Sequence, residues 1–283
     1  MTKECNMDFN NVIFAFGLTV FAGLSTGIGS LLALFTKRTN YKFLSLALGF
    51  SAGVMVYISM IEILPESRAY LTRELGSELG PWVSVASFFA GILIIAIIDK
   101  LVPTEDNPHE PHIAEEIKMV EYINQHDKHS NHKLKRIGVL TALAIAIHNF
   151  PEGLATFVAS IEDSSLGIPI AIAIAIHNIP EGIAISIPVF YATGNRKESF
   201  KLSLLSGLSE PLGAIIGYFL LYAFFGSMKL FIGILFGIVA GIMVFISLDE
   251  LLPTARAYAE THLAMYGLVA GMAVMAVSLL LFM

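Results

Sequence analysis

The chain of 283 residues contains eight long, mostly apolar stretches, each close to the ~20 residues that a helix needs to cross a bilayer. A soluble fold could not bury this much apolar surface, because 55% of the residues are hydrophobic and only 14% are charged. The sequence therefore predicts an all-α, polytopic membrane protein surrounded by a lipid bilayer. The predicted spans are 11–35, 43–64, 82–102, 138–158, 167–190, 202–225, 230–252 and 263–283.

Composition argues against several other kinds of protein. No basic face is available for a nucleic acid partner. Cys5 is the single cysteine, so the chain forms neither an internal disulfide nor a thiolate cage for a metal. Any metal site must therefore use imidazole, carboxylate, amide, thioether or backbone groups.

Lysine and arginine fall mostly on one side of the predicted spans. If the N-terminus is outside, the outer side keeps only Lys3, Arg68, Arg73 and Lys229. By the positive-inside rule, we expect a multi-pass protein of the cell (inner) membrane with both termini outside. The polar segment 103–137 then lies in the cytoplasm.

This segment, 103–137, is a predicted His-rich loop. Its histidines form a trio with helical spacing and a separate pair: His126, His129 and His132, and His109 and His112. Weak cytoplasmic zinc binding and an ordinary solvated loop explain this composition about equally well.

Inverted repeats organise the chain. The segment from Gly49 (GFSAGVMVYISMIEILPESRAY) matches the segment from Gly237 (GIVAGIMVFISLDELLPTARAY) at more than half of its positions. GLSTGIG from Gly23 matches GLSEPLG from Gly207. Spans one to three are therefore repeated as spans six to eight in the opposite direction, around a central inverted pair. The predicted architecture is 3+2+3 in a single transmembrane domain over 1–283.

The central pair carries one motif twice. AIAIHNFPEGLA starts at Ala144, and AIAIHNIPEGIA starts at Ala173. In each copy the histidine and glutamate are four residues apart and share a helix face. The proline between them frees a carbonyl, which a membrane tolerates only where protein or water satisfies it. Ionisable groups at this depth usually mark an ion pathway.

The two motifs supply a mixed nitrogen and oxygen donor set that suits zinc and ferrous iron. Glu210 in span six adds a carboxylate where the first repeat has Thr26. Three further carboxylates near the ends of spans two and seven, Glu62, Asp249 and Glu250, are candidate entry or exit ligands. The predicted metal ligands are Asn149, Glu152, His177, Asn178, Glu181 and Glu210, followed at lower rank by His148, Glu62 and Glu250.

With these motifs the chain resembles the ZIP (Zrt/Irt-like) family of metal transporters, and in particular its bacterial ZupT-like branch. The resemblance covers essentially the whole chain. It implies import of metal into the cytoplasm, a homodimer, and coupling to a proton gradient. Zinc and ferrous iron are the implied substrates, with manganese, cobalt and cadmium as further candidates, and no cofactor is implied.

The resemblance also implies a binuclear site between spans four, five and six. The two implied ligand sets share the central glutamates, which would bridge the ions: Glu152, His177 and Glu181 for the first, and Asn149, Glu152, Asn178, Glu181 and Glu210 for the second. Zinc is associated with the first position and ferrous iron with the second. His148 ranks below the others because many family members replace it.

Two other functions compete with transport. An intramembrane metalloenzyme would activate a zinc-bound water, but the motif is not HExxH and the repeat supplies two similar half-sites. A non-transporting metal sensor would need a sizeable soluble output domain, which we do not expect here. The sequence therefore predicts a secondary transporter rather than an enzyme.

Overall fold

The computed structural model of the chain describes six ranges of residues: 9–35, 41–101, 129–193, 195–223, 228–259 and 261–282. Every regular element in these ranges is helical. Residues 103–128 of the predicted His-rich loop lie outside these ranges, and so does Cys5. The helices are α1 (Phe9–Phe35), α2 (Tyr41–Ile58), α3 (Leu64–Leu101), α4 (His129–Glu162), α5 (Ser164–Thr193), α6 (Arg196–Gly207), α7 (Ser209–Ala223), α8 (Met228–Ile246), α9 (Leu252–Tyr258) and α10 (Thr261–Phe282).

Several of these helices have the length and composition of membrane spans. Six stretches of the described residues are long and apolar enough to cross a bilayer. One of them, Tyr41–Lys100, is 60 residues long and contains the predicted span 43–64 and residues 82–100 of the predicted span 82–102. The predicted span 138–158 lies within α4, which is not among the six. The prediction of an all-α, multi-pass membrane protein is confirmed.

The helix α3 reverses direction at Gly76. This residue has φ +87° and ψ 168°, a conformation that favours glycine. Beyond the reversal, Gly80 packs against the backbone of Thr72, so the two arms of α3 lie side by side. The helix of predicted span two thus continues well past residue 64 before the chain turns back.

A π-helical turn follows α2 at Ser59–Ile63, and another follows α8 at Ser247–Leu251. Ser59 donates to the carbonyl of Met55 at 2.6 Å, and the equivalent bond of the second turn has the same length. Pro65 has no N–H and cannot donate to the carbonyl of Ile61, four residues back. Leu64 donates to the carbonyl of Ser59, five residues back, which is the hydrogen bond of a π-helix. The second turn has the equivalent bond. The sequence repeat therefore extends to local backbone structure.

The predicted span 202–225 is divided at Leu208, between α6 and α7. Pro211 explains the division, because it cannot donate to the carbonyl of Gly207. The break places Glu210 in the first turn of α7, immediately before the proline.

The helices pack in two groups. In one group α2 packs along α10 and α3 along α8; in the other α1 packs along α5, and α4 packs along both α5 and α7. Glycines bring the backbones close together, as where Gly53 meets the carbonyl of Leu268 and Gly241 meets that of Phe88. The main contact between the groups is that of α2 with α5. One of the two motif-bearing helices therefore lies at the boundary between them.

Candidate metal centre

The duplicated motif lies within the packed helices α4 and α5, which continue through Pro151 and Pro180. Gly153 packs against the backbone of Glu210. Gly182 packs in the same way against the backbone of Thr26. Any larger residue at these positions would fall on the neighbouring backbone, so glycine admits α7 on one side and α1 on the other. The close approach of α7 brings Glu210 to the motif residues.

The predicted ligands on α4, α5 and α7 are completely buried. Each has an exposed fraction of 0%: Asn149, Glu152, His177, Asn178, Glu181 and Glu210. No lysine or arginine among the described residues is buried. A buried carboxylate is costly unless a cation or hydrogen bonds compensate it. Three buried carboxylates without a buried lysine or arginine among the described residues therefore call for a cation or for bound protons.

Two contacts join the motif on α4 to the motif on α5. Nε2 of His177 lies 3.2 Å from Oε2 of Glu152. Asn149, with its amide nitrogen turned toward the acceptors, donates to Oε2 of Glu181 at 3.2 Å and to the carbonyl of Ile145 at 2.9 Å. Each glutamate therefore meets a side chain of the opposite motif.

Asn178 connects the motif to the flanking helices. Its Nδ2 donates to Oε1 of Glu210 on α7. The same nitrogen donates to the carbonyl of Ala22 on α1 at 2.9 Å. Asn178 thus fixes the third carboxylate relative to the central pair, and it ties both to the first helix.

Four side chains of the cluster keep a polar atom that has no hydrogen-bond partner in the described structure. These atoms are Oε1 of Glu152, Nδ1 of His177, Oδ1 of Asn178 and Oε2 of Glu210. Buried polar atoms are nearly always bonded, so such a concentration needs an explanation. Carboxylate and amide oxygens and a neutral imidazole nitrogen are all ligands for divalent transition metals.

The cluster is not a preformed coordination sphere. Among the residues that the structure describes, no three His, Cys, Asp or Glu side chains are arranged to hold one metal ion. The side chains contact one another instead, as in the pair of His177 and Glu152. A cation entering the cluster would have to replace some of these contacts with its own.

Two of the lower-ranked predicted ligands, Glu62 and Glu250, lie in the π-helical turns rather than on the helices that carry the cluster. Glu62 is half-buried in the first π-helical turn, and Glu250 is almost fully buried in the second. Glu250 is within electrostatic reach of Glu181. The side chain of His148 lies outside the described part of the chain.

Two polar contacts at the centre were not predicted from the sequence. Ser51 of α2 donates to the carbonyl of His177 at 3.3 Å, which connects the two groups of helices. A signal for it existed, because the second repeat has Val239 at the place of Ser51 and the polar residue breaks the symmetry. The contact of Asn178 with the carbonyl of Ala22 left no comparable signal.

The sequence matches known proteins over nearly its whole length. A family model described as ZIP Zinc transporter matches residues 10–279. The "Zinc transporter ZupT" of Clostridium perfringens is 60% identical over 97% of this chain and 98% of its own length. That of Lysinibacillus sphaericus is 60% identical, over 96% of this chain and 98% of its own length. That of Chlorobium chlorochromatii is 57% identical, over 96% and 99%. The chain therefore belongs to the ZIP zinc transporter family, and it is a multi-pass metal transporter rather than an enzyme.

Proposed function

We propose that the chain imports zinc and ferrous iron into the cytoplasm through the buried cluster on α4, α5 and α7. The observation that carries this proposal is the complete burial of Glu152, Glu181 and Glu210 without any buried lysine or arginine among the described residues. In a low-dielectric interior, such a cluster is stable when a cation shares it or when protons neutralise it. Zinc as a substrate is supported by the ZupT relatives, which are named as zinc transporters.

The cluster is proposed to hold two ions bridged by Glu152 and Glu181. The first ion would add His177, and the second would add Glu210 together with the amide oxygens of Asn149 and Asn178. The family resemblance associates zinc with the first position, where an imidazole is a suitable ligand, and ferrous iron with the second. Manganese, cobalt and cadmium are further candidate substrates, because these donors do not select strongly among divalent ions.

We propose proton coupling on the basis of the same donors and of the family resemblance. Metal ligands must be deprotonated, so loading an ion releases protons from a protonated cluster. Release of the ion on the cytoplasmic side would leave the carboxylates to take up protons again. The cycle would then exchange an entering metal ion for protons that leave the cytoplasm, and a proton concentration higher in the cytoplasm than outside would favour import.

The 3+2+3 inverted repeat is proposed as the architecture behind this cycle. The packing of α2 (span two) along α10 (span eight) has its counterpart in the packing of α8 (span seven) along α3 (span three). This pairing is expected if spans one to three and six to eight are repeats of one another. The packing of α1 along α5 mirrors that of α7 and α6 against α4. Movement of the motif-bearing group against the other group would expose the cluster to each side in turn.

The remaining proposals concern placement in the cell. We propose a single transmembrane domain of eight spans over 1–283 in the cell membrane, with both termini outside. The segment 103–137 would be a cytoplasmic loop, and the functional unit would be a homodimer. These proposals rest on the distribution of basic residues and on the family resemblance.

Metal entry into sealed liposomes tests the proposed function. The double variant Glu152→Gln/Glu181→Gln removes both central charges and keeps the side-chain volume. Glu78→Gln removes one exposed charge in the hairpin of α3 and serves as the control. We expect saturable zinc and ferrous iron uptake by the wild type and by Glu78→Gln, and no uptake by a double variant with an unchanged elution profile. Equal flux through all three proteins would refute a transport role for the central glutamates.

A further inference from the structure

The two arms of α3 enclose an open groove of about 480 Å³. This volume is within the range of sites for small ligands, roughly 300–1,000 Å³. Its walls are mostly apolar and include Met60, Leu64 and Val85, and its mouth carries Arg68 and Trp82. Arg68 is the single charged residue of the lining, since Glu62 and Glu66 on the same stretch of chain do not line the groove.

The base of the groove is held by buried hydrogen bonds. Oγ of Ser84, which lines the groove, lies 3.0 Å from Oγ of Ser67 on the other arm. Oγ of Ser67 also lies 2.7 Å from the carbonyl oxygen of Gly233 on α8 and donates to it. These bonds fix the spacing of the two arms, so the groove exists before anything enters it.

The groove opens toward the surface that faces lipid. Trp82 is 75% exposed, and Phe89, two turns further along the same arm, is 61% exposed. The predicted ends of spans two and three, at residues 64 and 82, both line the groove, so the predicted topology puts it at the level of the lipid headgroups. Tryptophan is enriched at this level, and arginine there binds phosphate groups.

The second repeat shows what this arginine does without a groove. Arg256 is the equivalent of Arg68, and its Nη2 donates to Sδ of Met265, which stands at the place of Val85. The connection between the two arms is also shorter there, and His262 stands at the place of Trp82. The first repeat therefore replaces an internal contact by an open, apolar space that ends in a cation and an indole.

We propose that this groove binds one anionic phospholipid of the bilayer, with its phosphate at Arg68 and an acyl chain along Met60, Leu64 and Val85. The positive charge at the mouth selects a lipid with a net negative headgroup over a zwitterionic one. The bound lipid bridges the two arms of α3, and none of the residues that line the groove belongs to the buried cluster on α4, α5 and α7. The site is independent of the proposed transport function.

Trp82 is the single tryptophan of the chain, so its fluorescence reports on this groove alone. Purified protein in detergent is titrated with phosphatidylglycerol or phosphatidylcholine carrying dibrominated acyl chains, which quench a neighbouring indole. We expect phosphatidylglycerol to quench Trp82 at a several-fold lower mole fraction than phosphatidylcholine. Arg68→Gln should abolish this difference, and Arg68→Lys, which keeps the charge, should retain it.

Arg73→Gln is the matched control, because Arg73 is exposed on the same arm but does not line the groove. It should retain the preference for phosphatidylglycerol. Equal quenching of the wild type by both lipids would identify ordinary boundary lipid and overturn the proposal. A preference that survives in Arg68→Gln, or that Arg73→Gln reduces equally, would also overturn it.

Discussion

One methyl group added at Gly153 should disturb the candidate metal centre through the backbone. A Cβ at this position would meet the backbone of Glu210, with the carbonyl carbon 2.5 Å away. Non-bonded carbon atoms pack at about 3.5–4.0 Å, so α7 must move away from α4 by about 1 Å. A backbone cannot rotate out of the way as a flexible side chain can, and Glu210 must therefore move with its helix.

This displacement is large on the scale of metal coordination. Bonds from zinc to carboxylate oxygen are about 2.0–2.2 Å long and vary by only a few tenths of an ångström. A shift of about 1 Å therefore takes Glu210 out of a shared coordination sphere, and we expect metal affinity to fall by about 10- to 100-fold. Overpacking this contact should also lower the free energy of unfolding by about 1–3 kcal/mol.

Gly17→Ala is the matched control for Gly153→Ala. A Cβ on Gly17 would meet no atom within 4 Å, so the same substitution there adds only helix propensity. Zinc affinity is measured by isothermal titration calorimetry, and stability by thermal unfolding in detergent. If Gly153→Ala binds zinc as tightly as Gly17→Ala and melts at the same temperature, the close approach of α7 does not position Glu210.

Three further predictions concern the donors themselves. Asn178→Ala removes the hydrogen bonds to Glu210 and to the carbonyl of Ala22. Calorimetry should show that the variant binds zinc about 10- to 100-fold more weakly than the wild type. Unchanged affinity would mean that Asn178 has no role at the site. Glu210→Thr copies Thr26 of the first repeat, and elemental analysis after equilibration with zinc should show one bound ion per chain fewer than in the wild type, whereas an equal content would argue against the second position. Zinc flux into liposomes should fall as the outer solution is acidified from neutral pH, because protons compete with the metal for the carboxylates and the imidazole; a flux independent of pH would contradict proton release on loading.

The composition of the cluster was predictable because its motif occurs twice in the sequence. The two copies of the motif on α4 and α5 each place asparagine, proline, glutamate and glycine in the same register, and chance does not repeat such a combination within a membrane span. Glu210 was predictable as a departure from the same repeat. The structure places the six highest-ranked predicted ligands in one buried cluster, while their roles as ligands stay predictions.

The partners in the contacts that position the cluster were not predictable from local pattern, although the departure from the repeat at Ser51 marked one of the donors. The bonds of Asn178 to the carbonyl of Ala22 and of Ser51 to the carbonyl of His177 join residues more than a hundred positions apart. Backbone carbonyls carry no sequence signature, so only the packing of the helices reveals them.

Helix boundaries were predicted less well, for a local reason. Hydrophobicity marks where lipid begins and not where a helix ends, so the extension of the helix beyond residue 64 to the reversal at Gly76 was missed. The π-helical turns were missed as well, because they depend on how the chain satisfies the carbonyl groups before Pro65 and its repeat equivalent. The break before Glu210 has the same origin in Pro211.

Anomalous X-ray scattering at the zinc edge, from crystals grown with zinc, would show whether the buried cluster binds the ion. We expect anomalous-difference peaks between α4, α5 and α7, with oxygens of Glu152 and Glu181 at about 2.0–2.2 Å from the ions. The pair of His177 and Glu152 should then have separated to admit the metal. Zinc found only at other places, such as the π-helical turns, with the buried cluster still hydrogen-bonded to itself, would contradict the proposed metal site.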